Sequence, residues 1–185
     1  LFGALLFVLT GDIPNYIDAL FETISGLTTT GASVVTSPES MTRGGMFWRL
    51  FTHWIGGMGI LVFVLAVLPM SGNRSMHIMR AEVPGPTVGK LVPRIRKTAS
   101  ILYLLYIALT LVETVLLIAG GMSFYDALLH SFATAGTGGL STRALSIGYY
   151  NSAYIDIVVG VFMILFGVNF SLYYLILLGN IRTAL

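Results

Sequence analysis

Cysteine is absent from the 185 residues, and charge is scarce, with Asp, Glu, Lys and Arg together making up 10%. The first absence excludes a disulfide scaffold and a thiolate metal site. The second excludes an ordinary soluble domain, in which roughly a quarter of the residues are charged. In their place stand 56% hydrophobic residues and a mean hydropathy of +0.87. Lipid, not water, is the expected solvent for most of the chain.

Two uninterrupted apolar stretches, 98–119 and 154–178, reach the ~20 residues that a membrane-crossing helix needs, and a third runs from about Phe47 to Met70. The opening stretch, Leu1 to Leu9, is too short to span and lacks the basic flank of a signal peptide. It reads as the end of a longer outer helix, so the sequence is expected to be a fragment. Six of the ten Lys and Arg residues fall in one segment, 71–97. The positive-inside bias makes that segment cytoplasmic, and Arg182 after the last span agrees with it. Segments 10–53 and 120–153 then face outward, and a solvated basic loop is compatible with the same topology.

Sliding the chain against itself by 108 residues aligns 15–33 with 123–141, with six identities in nineteen positions. These are Asp18/Asp126, Ala19/Ala127, Leu20/Leu128, Thr29/Thr137, Gly31/Gly139 and Ser33/Ser141. Each unit reads as outer helix, short helix, Gly/Thr loop and inner helix. The expected division is a first pore repeat over 1–70, a cytoplasmic basic loop over 71–97 and a second pore repeat over 98–182. The fold class is therefore all-α, a membrane protein of tandem repeats as in potassium channels.

The short helix from Tyr16 to Thr28 would be ~20 Å long at 1.5 Å per residue, well short of the ~30 Å hydrocarbon core. A capping pattern opens it in both copies, Asn15-x-x-Asp18 and Ser123-x-x-Asp126. Since the flanking spans run in opposite directions, the segment must enter and leave on one side, as a re-entrant loop. Non-helical backbone at membrane depth is tolerated only where protein buries it or water fills a cavity. The stretches Thr28-Thr29-Thr30-Gly31-Ala32-Ser33 and Gly136-Thr137-Gly138-Gly139-Leu140-Ser141 are of that kind. Rings of backbone carbonyls can replace the hydration shell of a cation, and glycine frees the backbone to aim them. Small residues also serve helix packing in membranes, so one such loop alone is a weak signal; the repetition strengthens it.

The stretches FETISGLTTTGASVV, FWRLFTHWIGGMGILVFVLAVLPM, RAEVPGPTVGKLVPRIRKTA, DALLHSFATAGTGGLST and FGVNFSLYY carry a family resemblance. The chain resembles the TrkH/TrkG/KtrB superfamily of bacterial potassium-uptake proteins, its TrkH branch most closely. The resemblance implies an inner-membrane, multi-pass transporter, a symporter or channel, with potassium as its substrate and no covalently bound cofactor. It implies Gly31 and Gly139 as filter glycines, with Thr29, Thr30, Thr137 and Gly138 offering coordinating carbonyls. Thr28, Ala32 and Leu140 would flank the filter, and the only metal would be potassium at those carbonyls. Its members carry four repeats in one chain, work as homodimers in membrane lipid, and are gated by a cytoplasmic nucleotide-binding TrkA/KtrA-type ring. No nucleic-acid partner is expected. The family's third repeat, with its gate, and its fourth are absent here.

Other residues have plainer readings. Glu113 lies in a span, where an ionisable group is a functional candidate, and hydrogen bonding to a neighbour is the simpler expectation. Glu22 and His130 share a repeat position and are expected to support the filter from behind. His53-Trp54 reads as an interfacial anchor, Gly56-Gly57-x-Gly59 as a site of close helix approach or a hinge, and Asn169 and Ser171 as interhelical hydrogen-bonding groups. The segment Arg80-Ala81-Glu82-Val83-Pro84-Gly85-Pro86 reads by composition as a rigid cytoplasmic turn, and the resemblance implies a surface near the regulatory ring. Two rival functions are an intramembrane hydrolase, using Ser33 or Ser141 with His53 or His130, and a non-conducting structural subunit. The hydrolase needs nucleophile and base within hydrogen-bond reach, and no recurring spacing sets such a pair, so no enzymatic activity is expected.

Overall fold

The computed structural model describes residues 2–59, 88–168 and Tyr173, with side chains described outside 88–99. Every regular element among the described residues is helical. The helices are α1 (Phe2–Leu9), α2 (Tyr16–Leu27), α3 (Arg43–Gly57), α4 (Val88–Ala119), α5 (Phe124–Ala135) and α6 (Ala153–Gly167). Short 3-10 turns at Pro38–Ser40 and Ser146–Tyr150 lie in the loops that lead into α3 and α6. The chain forms two compact units, 1–58 with 106–169 and 59–105 with 170–185. In the second, the longest described stretch is the start of α4.

The starts of the short helices follow from their sequence. Asn15 has extended backbone and its side chain accepts from the Ile17 N–H at 3.0 Å. Ser123 does the same for the Asp126 N–H at 3.1 Å. These bonds satisfy donors that a helix leaves open at its first turn. Asp18 and Asp126 sit in that turn, where the helix dipole favours an anion. The Asp126 carboxylate also accepts from Ser123 Oγ at 3.0 Å and Thr142 Oγ1 at 2.9 Å, and pairs with Arg143 at 3.3 Å. At 12 residues each, α2 and α5 extend ~18 Å and cannot cross a bilayer.

Three expected boundaries move. Helix α3 begins at Arg43, four residues before the expected span, because Thr42 caps it by accepting from the Gly45 N–H at 3.1 Å. It ends at Gly57, and residues 60–70 of that span lie outside the described residues. Helix α6 stops at Gly167, since Val168 turns extended at φ −70°, ψ 141°; of the expected 154–178 run, Asn169, Ser171 and most of the remainder fall outside the described residues. Helix α4 begins at Val88, so residues 88–97 of the basic loop are helical. Charge reports which side of a membrane a segment occupies, whereas Lys, Arg and Leu are good helix formers.

Packing in the larger unit joins the two repeats. Ala4, Phe7, Ile13 and Ala19 form one core between α1 and α2. Met46, Leu50, Leu129, Phe132, Ala133 and Leu140 form another, in which α3 of the first repeat meets α5 and the loop of the second. Trp54 Nε1 donates to Thr110 Oγ1 at 3.1 Å, and the Tyr106 hydroxyl donates to the Trp54 carbonyl at 2.8 Å. His53 is fully buried. Position 53 lies 10 residues past the start of α3, ~15 Å along its axis. The expected interfacial anchor is thus a buried packing site, because the helix starts earlier than its apolar run. Outward, Leu111, Val115 and Ile118 form an exposed apolar stripe on α4. The stretch Ser100–Ala119 is long and apolar enough to cross a membrane.

Gly56 and Gly57 sit where α3 passes the C-terminal ends of both short helices. A methyl on Gly56 would overlap the Leu27 carbonyl, and one on Gly57 would stand 2.9 Å from the Ala135 carbonyl. This is close approach of backbones, which small residues permit in membrane helices. Gly56→Ala is expected to cost about 1–3 kcal/mol through overpacking against backbone. Thermal unfolding of the full-length protein in detergent checks it, with Gly148→Ala as control, since nothing lies within 4 Å of that position. Equal midpoints for the two variants would contradict the close contact.

Candidate functional site

The two Gly/Thr loops share one backbone design. In each, the short helix ends with a pair of hydrogen bonds that reach back into its last turn. Thr29 N–H donates to Gly26 O at 3.1 Å and Thr30 N–H to Ser25 O at 3.0 Å. In the second copy Thr137 N–H donates to Thr134 O at 2.9 Å and Gly138 N–H to Ala133 O at 3.4 Å. This pairing is the Schellman motif, which requires a left-handed residue just past the helix cap. Thr29 at φ 55° and Thr137 at φ 54° supply it. Glycine is the usual occupant; a β-branched residue there is a backbone outlier that stores strain.

Two residues on, the backbone turns left-handed again, at Gly31 with φ 74° and Gly139 with φ 72°. The loops meet at this level. A Cβ on Gly31 would overlap the Gly138 carbonyl oxygen, while Gly139 has nothing within 4 Å of such an atom. Thr28, the C-cap of α2, turns its hydroxyl to Ile24 O and shares a bond with Thr30 Oγ1, both at 2.8 Å. Ala32, just past Gly31, accepts at its carbonyl from Ser25 Oγ at 2.5 Å, which ties the loop to its own short helix. The Leu140 side chain belongs to the apolar core.

Behind each loop stands a side chain from the shared repeat position. Glu22, 2% exposed, accepts from Ser33 Oγ at 3.0 Å and from the Val34 N–H at 3.0 Å. His130, 3% exposed, bonds Ser141 Oγ through Nε2 at 2.9 Å and the Asp126 carbonyl through Nδ1 at 2.7 Å. Both braces tie a short helix to the serine that follows its loop. The first has a further member that the sequence reading passed over. Arg49 of α3 is 3% exposed, pairs with Glu22 through Nε at 2.5 Å, and donates to Ser33 Oγ at 2.8 Å and to the Ser141 carbonyl at 3.5 Å. One buried guanidinium thus links both loops. The signal was present: an Arg close inside an apolar run, with Ile157 at its repeat position.

The serine–histidine pair at 130 and 141 meets the distance requirement of a nucleophile and base. The first repeat places a carboxylate on serine in the same geometry, where it has no histidine. Ser141 Oγ also accepts from the Arg143 N–H at 3.0 Å, and the serine is 7% exposed. The pair is a loop brace. Glu113 is fully buried on α4, and neither carboxylate oxygen finds a hydrogen-bond partner, although Thr134 lies near it. The Thr134 hydroxyl donates to His130 O at 2.9 Å, which leaves its oxygen facing Glu113 as an acceptor. No cluster of His, Asp or Glu among the described residues could hold a metal ion.

Capped sub-spanning helices, loops of matched backbone and an exposed apolar helix long enough to cross a membrane define a helical membrane protein of tandem pore-type repeats. Residues 4–182 match the family model TrkH, described as cation transport protein. The chain belongs to that family. It is 42% identical over 181 residues to the Trk system potassium uptake protein TrkH of Escherichia coli, covering 96% of this chain and 37% of that protein. It is 43% identical over 176 residues to the same-named protein of Halomonas elongata, covering 94% of this chain and 36% of the relative. The crystal structure of the potassium transporter TrkH from Vibrio parahaemolyticus superposes with a TM-score of 0.68 at 37% identity, over 86% of this chain and 31% of that one. The chain therefore spans about a third of the length of these relatives.

Proposed function

We propose that this chain supplies two filter segments of a potassium-uptake protein. The carbonyls of Thr29, Thr30, Gly31, Thr137, Gly138 and Gly139 replace the hydration oxygens of the ion, and Thr28, Ala32 and Leu140 flank them. One observation carries the reading: both loops turn left-handed at the same two repeat positions, 29 with 31 and 137 with 139. Left-handed residues at alternate positions rotate successive peptide planes, which lets neighbouring carbonyls face one side of an extended backbone. Each of the two short helices also ends toward its loop, presenting the negative end of its dipole to a cation. The likeness to potassium uptake proteins over nearly the whole chain supports the same ion.

In this reading 1–70 and 98–182 are pore repeats of a multi-pass protein of the bacterial inner membrane, with the basic segment 71–97 cytoplasmic. The whole protein works as a homodimer with a TrkA/KtrA-type nucleotide-binding ring on the cytoplasmic side, and potassium is its substrate. Expression of the full-length protein in cells lacking other potassium-uptake systems tests this. Growth at low external potassium and uptake of potassium or rubidium are expected. Protein present in the membrane without potassium uptake would overturn the reading.

A further inference from the structure

The two loops differ in one systematic way. Where the first has Thr28 and Thr30, the second has Gly136 and Gly138. Backbone conformation does not demand either glycine. Gly136 has φ −78°, and Gly138 is not among the residues with positive φ. Threonine at the two equivalent positions shows that a loop of this design carries side chains there.

What excludes a side chain is His53. A methyl on Gly136 would overlap the imidazole at Cδ2, and one on Gly138 would overlap it at Nε2 and Cε1. The ring is fully buried, and its nitrogens find no partner in hydrogen-bond geometry although the Gly26 carbonyl lies near. Toward the second loop it acts by volume, through the two overlaps at Gly136 and Gly138. At its repeat position α6 carries the smaller Val161, 47% exposed. On the other side, the Gly138 carbonyl fills the place that a Gly31 side chain would take. The Gly138 peptide is thus held between the His53 ring and the first loop.

We propose that His53 is a positioning residue for the ion path, a wedge from the first repeat that sets where the second loop stands, and that Gly136 and Gly138 are its clearance. The selectivity consequence rests on the filter reading above; the steric core does not. A double-mutant cycle separates them. In the full-length protein, Gly138→Ala is expected to lower the potassium-over-sodium uptake ratio about tenfold and to depress the thermal midpoint in detergent, because the methyl displaces a packed ring. His53→Ala alone frees the loop and lowers the ratio with a smaller loss of midpoint. The pair Gly138→Ala with His53→Ala regains both midpoint and ratio relative to Gly138→Ala. A double variant no better than Gly138→Ala in either measurement would overturn the wedge. Recovery of the midpoint with an unchanged ratio in all three variants would uphold the contact and overturn its role in selectivity, and with it the filter assignment.

Discussion

Full-length protein carrying Gly31→Ser is expected to lose potassium selectivity outright, while Gly139→Ser loses much less. Both positions are left-handed, at φ 74° and 72°, and a side chain there costs about 1–2 kcal/mol of backbone strain. Only Gly31 adds a collision, with the Gly138 carbonyl oxygen. Overpacking against backbone adds about 1–3 kcal/mol. Neither partner is a flexible side-chain end, so the strain is relieved by moving a loop carbonyl. That movement changes the distance between the two loops, on which ion coordination depends. Uptake of potassium and sodium, measured side by side in cells lacking other potassium systems, checks the order. Wild-type selectivity in Gly31→Ser, or a larger loss in Gly139→Ser, would remove Gly31 from the contact between loops.

The second large effect is on stability, and it concerns Glu22. Its carboxylate neutralises Arg49 in a place where the two side chains are 1% and 3% exposed. Glu22→Ala leaves the guanidinium with only Ser33 Oγ and the Ser141 carbonyl. An uncompensated buried charge of this kind costs about 3–5 kcal/mol. Replacing the pair together, Glu22→Leu with Arg49→Leu, removes both charges and is expected to be more stable than Glu22→Ala alone. The well-packed hydrophobic replacement of a buried ion pair is often neutral or better. The first loop would still lose the brace at Ser33 and Val34, so transport should stay impaired even where the fold recovers. Thermal unfolding of the purified full-length variants distinguishes these cases. Losses that simply add, with the double variant less stable than either single one, would mean that the two groups do not neutralise each other.

These two expectations draw on different depths of the molecule. The all-α repeat architecture was legible because it is written locally. Hydrophobic run length marks α4, side-chain oxygens at Asn15 and Ser123 mark the starts of α2 and α5, and the offset of 108 residues pairs the loops. Gly31 and Gly139 stood out for the same reason, as equivalent residues in equivalent local surroundings. The Schellman ends were less visible, since the left-handed positions that close the helices hold Thr29 and Thr137 in place of the usual glycine. Composition there argued for coordination and concealed the turn.

By itself the amino-acid order determined the repeat, the two short helices and the loops that follow them, because period, capping and backbone freedom act over a few residues. Only the tertiary structure decided what the glycines meet. Gly31 and Gly139 serve conformation, Gly56 and Gly57 admit the ends of the short helices, and Gly136 and Gly138 clear the His53 ring. It likewise decided that Arg49 belongs to Glu22, 27 residues away, and that His130 braces Ser141. Steric exclusion and the pairing of buried charge depend on which elements meet in space, and no local pattern in the chain records that meeting.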